Sequence, residues 1–378
     1  MFGPRFNILN LAGFRIGIDF SWFFIAILVT WTLAIGYFPV TLPHQTPGTY
    51  WLMGLFGMLG LFISVVLHEL GHAIVARNFN LKISQITLFI FGGVAEMKSE
   101  PPNPKAEFLV AVAGPIVSVI IAFVMNALTI AGNHFGWSPV ITSVTGYLAF
   151  INLVIVIFNS IPAFPLDGGR VFRAALWWWK DNLKWATRIA SNVGAAFGMI
   201  LIFMGVLSFI SGGLFTGMWW IILGLFLRQA ATSSKAQFYI RQEFQNETVE
   251  KFMTKNPITV PSNISIKQFI DQYIYQSHHH LYPVIGDQGN LIGYISLRDA
   301  KAVLPDNWEK TKVKDALVPL SETQTVTSKT NALEALNIIQ QNPAATLLVV
   351  DDGKLAGILT AQDLFKLISL KLELEEDI

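Results

Sequence analysis

The densest chemistry in the chain sits near the end of a long uncharged stretch, in His68-Glu69-Leu70-Gly71-His72. On a helix turning about 100° per residue, positions four apart differ by about 40° in azimuth and stand one turn apart, so both imidazoles can face one metal ion. Glu69 stands beside them, placed to take the proton of an attacking water instead of binding the metal. Coincidence is disfavoured by the setting, because ionisable groups inside an apolar span are costly unless they face a cavity, a partner or a metal.

A catalytic zinc usually takes three protein ligands and keeps one position open. The chain has no Cys, and its other histidines are His44, His134, His278, His279 and His280, so the third ligand is expected to be a carboxylate. The acids of the apolar part are Asp19, Glu69, Glu96, Glu100, Glu107, Asp167 and Asp181. Only Asp167 follows an apolar span broken by prolines, in Asn159-Ser-Ile-Pro162-Ala-Phe-Pro165-Leu-Asp167-Gly-Gly-Arg170. The prolines forbid regular helix, and irregular backbone at membrane depth is tolerated only where it lines protein or a wet cavity. Asp167 is therefore the expected ligand, with Glu96 or Glu107 next. The plainer reading is an Asp-Gly turn at the membrane boundary.

These residues need a membrane-embedded scaffold. Of 378 residues 53% are hydrophobic and 13% charged, against roughly 25% charged in soluble domains. The charge is uneven: residues 1–230 carry 19 Asp, Glu, Lys and Arg and residues 231–378 carry 32, so an apolar half precedes a soluble one. Net charge is +5 in the first part and −4 in the second, which leaves no basic face fit for nucleic acid.

Six apolar stretches of about membrane length run near 20–39, 51–76, 107–131, 140–161, 193–211 and 214–228. The first reads as a retained span and not a cleaved signal peptide. Connections near 40–50, 132–139 and 211–217 hold no Lys or Arg, whereas the alternate side holds Arg5, Arg15, Arg77, Lys82, Lys98, Lys105, Arg170, Arg173, Lys180, Lys184, Arg188, Arg228 and Lys235. That asymmetry puts both termini in the cytoplasm and makes the protein multi-pass in the plasma membrane. Arg77 follows His72 by five residues, which places the metal about 10 Å inside the cytoplasmic edge at 1.5 Å per residue. Trp177, Trp178 and Trp179 beside Lys180 read as an interfacial anchor.

Residues 231–247 are a polar connector free of Gly and Pro. Beyond it the sequence repeats: Pro283 to Asp299 aligns without gaps on Leu347 to Asp363 at an offset of 64 residues. Each copy reads as strand, Asp/Gly turn, strand, then a helix opened by Ser296-x-x-Asp299 or Thr360-x-x-Asp363, with a further short strand upstream at 257–260 and 323–326. His278, His279 and His280 fall at a helix-to-strand junction without a carboxylate companion and read as a polar surface corner.

In combination, H-E-L-G-H in an apolar span and N-x-x-P-x-x-P-L-D-G-G about a hundred residues later resemble the site-2 protease family of intramembrane zinc metalloproteases. The repeat resembles a pair of cystathionine-β-synthase (CBS) motifs, which marks a bacterial and archaeal branch, and Phe91-Gly92-Gly93 and Ala113-Gly114-Pro115 match that branch. Only about 30 residues (77–106) separate the second and third spans, too few for the PDZ domain of the other branch.

The resemblance implies a polytopic α-helical membrane protein of about six transmembrane helices with a C-terminal α/β tandem CBS domain. Its parts would be a protease domain 1–230, a linker 231–247, and CBS motifs 248–305 and 311–372. It implies Zn2+ on His68, His72 and Asp167, Glu69 as general acid and base, and Asn159 near the reacting carbonyl, although an Asn at a helix end also satisfies broken backbone groups. It implies a membrane-spanning substrate: an anti-sigma factor, a pro-transcription factor or a signal-peptide remnant. In CBS pairs the positions of Ser296, Asp299, Thr360 and Asp363 hold ATP or another adenine nucleotide, and plain helix capping is the competing reading. Such pairs often dimerise.

Residues 83–96 read as a hairpin with a Gly-Gly turn, either a free edge that holds substrate extended or a plug. The rival from another class is a CBS-regulated channel or transporter, which calls for paired broken helices in two equivalent halves. The apolar half has one proline break and no repeat. An inactive adaptor is disfavoured by the intact Glu69 and the full set of candidate ligands.

Overall fold

The computed structural model describes residues 5–81, 83–90, 92–97, 99–244, 247–277, 279–320, 325–341 and 346–364. Lys82, Phe91, Lys98, His278, residues 323–324 and the end of the second CBS motif (365–372) lie outside the described residues. Contacts divide the chain into Met1–Ala236 and Gln237–Ile378.

In the first unit a hairpin opens the fold. β1 (Arg5–Leu11) and β2 (Phe14–Asp19) pair across a tight turn in which Ala12 and Gly13 both have positive φ, 52° and 85°. Then come α1 (Ser21–Thr41), α2 (Pro47–Asn78), the hairpin β3 (Ile83–Phe89) and β4 (Gly92–Met97), α3 (Pro104–His134), α4 (Pro139–Asn159), α5 (Asp167–Lys180), α6 (Leu183–Ile210) and α7 (Leu214–Phe244).

Among the described residues six helices are long and apolar enough to cross a membrane: α1 to α4, α6 and α7, the last over Leu214–Gln242. Most exceed their sequence-read limits. α6 starts at Leu183, where Asn182 accepts the backbone N–H of Trp185 at 2.9 Å, and α7 runs past residue 228 because nothing there breaks a helix. The bundle is inverted relative to a soluble protein. Phe123, Phe150, Ile157, Phe203 and Phe215 are exposed, whereas Ser64, His68, His72, Glu107, Ser118, Asn152, Asp167, Arg173, Thr187 and Ser191 are buried.

Hairpin 83–96 forms, but within a sheet of order β1-β2-β3-β4, in which β2 and β3 run parallel (Ile16↔Ile86, Ile18↔Leu88). The N-terminal half of this sheet was not anticipated, although Phe14-Arg15-Ile16-Gly17-Ile18-Asp19 alternates apolar residues with polar ones and Gly. Gly92 serves the turn, opening β4 at a positive φ of 129° with nothing within 4 Å of a Cβ, whereas Gly93 serves packing. Gly92 and Gly93 belong to β4, and a Cβ on Gly93 would stand 2.6 Å from Glu69 Cγ, so it is the approach of strand to helix that requires the missing side chain.

α5 was unexpected as well. It is an amphipathic helix of 14 residues, not a span, and it ends with Trp178 and Trp179 exposed and Lys180 Nζ 4.8 Å from the Trp179 ring centroid.

The second unit holds two four-stranded sheets, one of strand order 260–261, 281–285, 291–296, 318–319 and one of order 325–326, 347–351, 354–359, 254–255. The repeats supply β7 (Leu281–Ile285) with β8 (Leu291–Ser296) and β11 (Leu347–Asp351) with β12 (Lys354–Leu359). The upstream strands are β6 (Val260–Pro261) and β10 (Thr325–Val326). β5 (Thr254–Lys255) precedes the first repeat yet pairs with β12, while β9 (Val318–Pro319) pairs with β8. Each sheet thus borrows a strand from the other half, which interlocks the repeats.

Candidate active site

His68 and His72 sit on the last two turns of α2 before Arg77, and both are buried. Asp167, also buried, is the first residue of a separate helix, α5. Its carboxylate Oδ2 lies 3.0 Å from His68 Nε2 and 3.2 Å from His72 Nε2, and the two Nε2 atoms are 3.3 Å apart. Metal–ligand bonds of about 2.0–2.1 Å at tetrahedral angles separate ligand atoms by about 3.3 Å, so this triangle has the dimensions of one face of a zinc site. Among the described residues this is the one group of three such side chains able to share an ion.

Both imidazoles are oriented by α3, which contributes no ligand. His72 Nδ1–H donates to the Val110 carbonyl at 2.6 Å, which leaves Nε2 with its lone pair facing the triangle. His68 Nδ1 meets Ser118 Oγ at 2.9 Å. Between those contacts lies Gly114, where a Cβ would collide with His72 Nε2 and stand 2.6 Å from His68 Nε2. Reciprocally, a Cβ on Gly71 would meet Val117 Cγ2 at 2.8 Å and the Ala113 carbonyl at 3.0 Å. The two glycines let α2 and α3 cross closely and leave room on the metal side of both rings.

Asp167 is placed by the broken segment. α4 ends at Asn159, residues 160–166 are irregular around Pro162 and Pro165, and Ala163 and Phe164 are buried. Gly168 and Gly169 tuck under this loop, where a Cβ would stand 2.5 Å from the Ile161 carbonyl oxygen and 2.5 Å from the Ala163 carbonyl carbon respectively. Glu69, partly buried, faces Gly93 of β4, and Asn159 is half-buried at the mouth of the loop. Of the reserve carboxylates, Glu107 is committed elsewhere, to Arg173, and Glu96 lies on β4.

Sequence reading missed Ser118, the Val110 carbonyl and the role of Gly114. The available signal was Gly114-Pro115 with Ser118 one turn on, in a span with no other reason to carry small and polar residues.

In the second unit Ser296 opens the helix Leu297–Ala302 and its N–H and Oγ donate to Asp299 Oδ2 at 2.9 and 2.6 Å. Thr360 and Asp363 repeat this at 2.9 and 2.7 Å. Capping boxes therefore form in both repeats. His279 N–H donates to Tyr282 Oη at 3.1 Å.

The profile of Peptidase family M50 matches residues 56–202, and that of the CBS domain matches 249–306 and 313–370. The chain is 33% identical to "Putative zinc metalloprotease Rip3" of Mycobacterium tuberculosis over 96% of its length and 92% of the relative's. It is 33% identical to "Zinc metalloprotease MJ0392" of Methanocaldococcus jannaschii over 84% and 86%. Among solved structures, "Site-2 Protease from Methanocaldococcus jannaschii" aligns with 61% of this chain and 95% of its own at 27% identity and a TM-score of 0.42. The chain is thus a multi-pass zinc metalloprotease with a tandem CBS domain. It belongs to peptidase family M50, the site-2 proteases.

Proposed function

We propose that this protease cleaves membrane-spanning proteins at a single zinc held by His68, His72 and Asp167. The observation that carries the reading is the burial of two imidazoles and a carboxylate, converging from separate helices, inside an apolar bundle. Such groups are costly there without a function to serve. Zinc in this position supplies a Lewis acid for the scissile carbonyl and for water.

The remaining work belongs to the chain. Glu69, one residue from His68 and under β4, accepts the proton of the attacking water and returns it to the leaving nitrogen. Asn159 donates its side-chain N–H to the developing oxyanion. Ser118 and the Val110 carbonyl keep the imidazoles aimed. β4 is a sheet edge beside Glu69, fit to pair with a substrate segment drawn into extended form, since a helical segment keeps its carbonyls engaged.

The Lys and Arg distribution puts both termini, and with them the CBS pair, on the cytoplasmic side of the plasma membrane. In this reading the CBS pair binds an adenine nucleotide at Ser296, Asp299, Thr360 and Asp363 and shifts substrate access, and it is the surface through which copies of the chain would associate. Family membership removes the channel or transporter alternative for the apolar half.

The substrate class, an anti-sigma factor, pro-transcription factor or signal-peptide remnant, is tested by comparing membrane proteomes of cells carrying the wild-type enzyme and Glu69→Gln. A fragment ending inside a membrane span and present only with the wild type supports the reading. Identical fragment sets would overturn it.

A further inference from the structure

Asp167 is the one candidate ligand that does not come from α2, and it follows a segment without regular hydrogen bonding. Whatever holds α5 therefore fixes its distance to the imidazoles. Arg173, on the same helix and 5% exposed, reaches four segments with one guanidinium. Nε donates to Glu107 Oε1 in the first turn of α3 at 2.5 Å. Nη2 also pairs with Glu107, and with Glu100 Oε2 at 3.2 Å, between β4 and α3. Nη1 donates to Thr187 Oγ1 on α6 at 3.4 Å, and the guanidinium carbon lies 5.1 Å from the ring centroid of Phe164 in the broken loop.

Glu107 is fully buried and stands three residues before Val110, whose carbonyl orients His72, on the helix whose Ser118 meets His68. One ligand-free helix is thus the common reference for all three groups: for the imidazoles directly, and for Asp167 through Glu107 and Arg173.

We propose that Arg173 is a positioning residue for the metal: clamped to Glu107, it registers α5 against α3 so that Asp167 meets His68 and His72. The proposal rests on the zinc reading above. It needs Arg specifically. The planar fork serves Glu107, Glu100 and Thr187 in fixed directions, whereas a lysine ammonium is a point charge on a flexible stem. Partners behind a ligand typically contribute 10–100-fold in metal affinity.

The test uses the full-length protein in detergent, with zinc affinity from competition against a chromophoric chelator and thermal unfolding recorded in parallel. Arg173→Lys keeps the buried charge but loses the fork. Glu107→Asp keeps both charges and shortens one arm by a methylene, and it decides the matter if the Lys variant does not fold. Each is expected to raise the zinc dissociation constant at least tenfold with little change in unfolding temperature of the zinc-free protein, and excess zinc should restore kcat without altering KM. Wild-type zinc affinity in a folded Arg173→Lys or Glu107→Asp protein, or lost activity that excess zinc does not restore, overturns the proposal. A wild-type protein that binds no zinc would overturn the metal reading itself.

Discussion

Gly114→Ala adds one methyl group at the crossing of α2 and α3. Its Cβ would stand 2.6 Å from His68 Nε2 and closer still to His72 Nε2, where ordinary van der Waals contact needs about 3.4 Å or more. Neither ring can turn aside without losing its Nδ1 contact to Ser118 or Val110. Relief must then come from separating the helices by roughly 1 Å, against a backbone crossing that Gly71 also keeps tight, while metal ligation tolerates only about 0.2 Å. Overpacking of this kind costs about 1–3 kcal/mol of stability. Because the methyl enters the space in front of both Nε2 atoms, metal affinity should fall at least a hundredfold and proteolysis should vanish. The assay is zinc content per chain after dialysis at fixed free zinc, with cleavage of a membrane-embedded reporter. Gly36→Ala is the control: nothing lies within 4 Å of a Cβ there, and it should be silent. Full zinc occupancy and activity in Gly114→Ala would refute the placement of α3 against the two imidazoles.

Glu69→Gln should keep zinc at wild-type stoichiometry and abolish cleavage, since the ligands stay and the proton carrier goes; substantial residual proteolysis removes Glu69 from the mechanism. Asp167→Ala should lose zinc and activity together, and full zinc in that variant would reassign the third ligand. Calorimetry of the full-length protein with ATP, ADP and AMP should give heat that Asp299→Ala with Asp363→Ala abolishes. Binding unaffected by that double variant, or none at millimolar nucleotide, would leave these acids as helix caps.

What the sequence disclosed about the site were features with a fixed local geometry. His68 and His72 are one turn apart on any helix, and the prolines around Asp167 forbid regular backbone wherever the segment lies. The parts not legible were those made by one helix approaching another. Ser118 and the Val110 carbonyl serve the imidazoles only because α2 and α3 cross at Gly71 and Gly114, and no spacing within either span encodes that crossing. The hairpin at 83–96 was legible from its β-rich composition, but its parallel partner β2 lies more than sixty residues earlier, and while Gly92 takes the positive φ at the turn, Gly93 serves contact with Glu69.

The distribution of polar groups connects fold and chemistry. In an apolar environment helix association draws little from the hydrophobic effect, so packing of small residues and internal polar contacts must hold the bundle. Gly198 and Gly224, and Gly205 and Gly217, do this between α6 and α7: a Cβ on any of the four would stand 2.6–2.8 Å from the carbonyl oxygen of its partner glycine. Around α3 the same work falls to ionisable groups. Burying Glu107 with Arg173 costs desolvation that an apolar pair would avoid, so such a pair is weak evidence for stability as such. It makes sense where direction matters more than energy. Apolar contacts let a helix slide or rotate by fractions of an ångström at little cost, whereas a fork donating to one carboxylate fixes both, and α5 is the helix that carries Asp167. The polar interior of this bundle is accordingly concentrated where a metal ligand must be held in register, and glycine contacts suffice between α6 and α7.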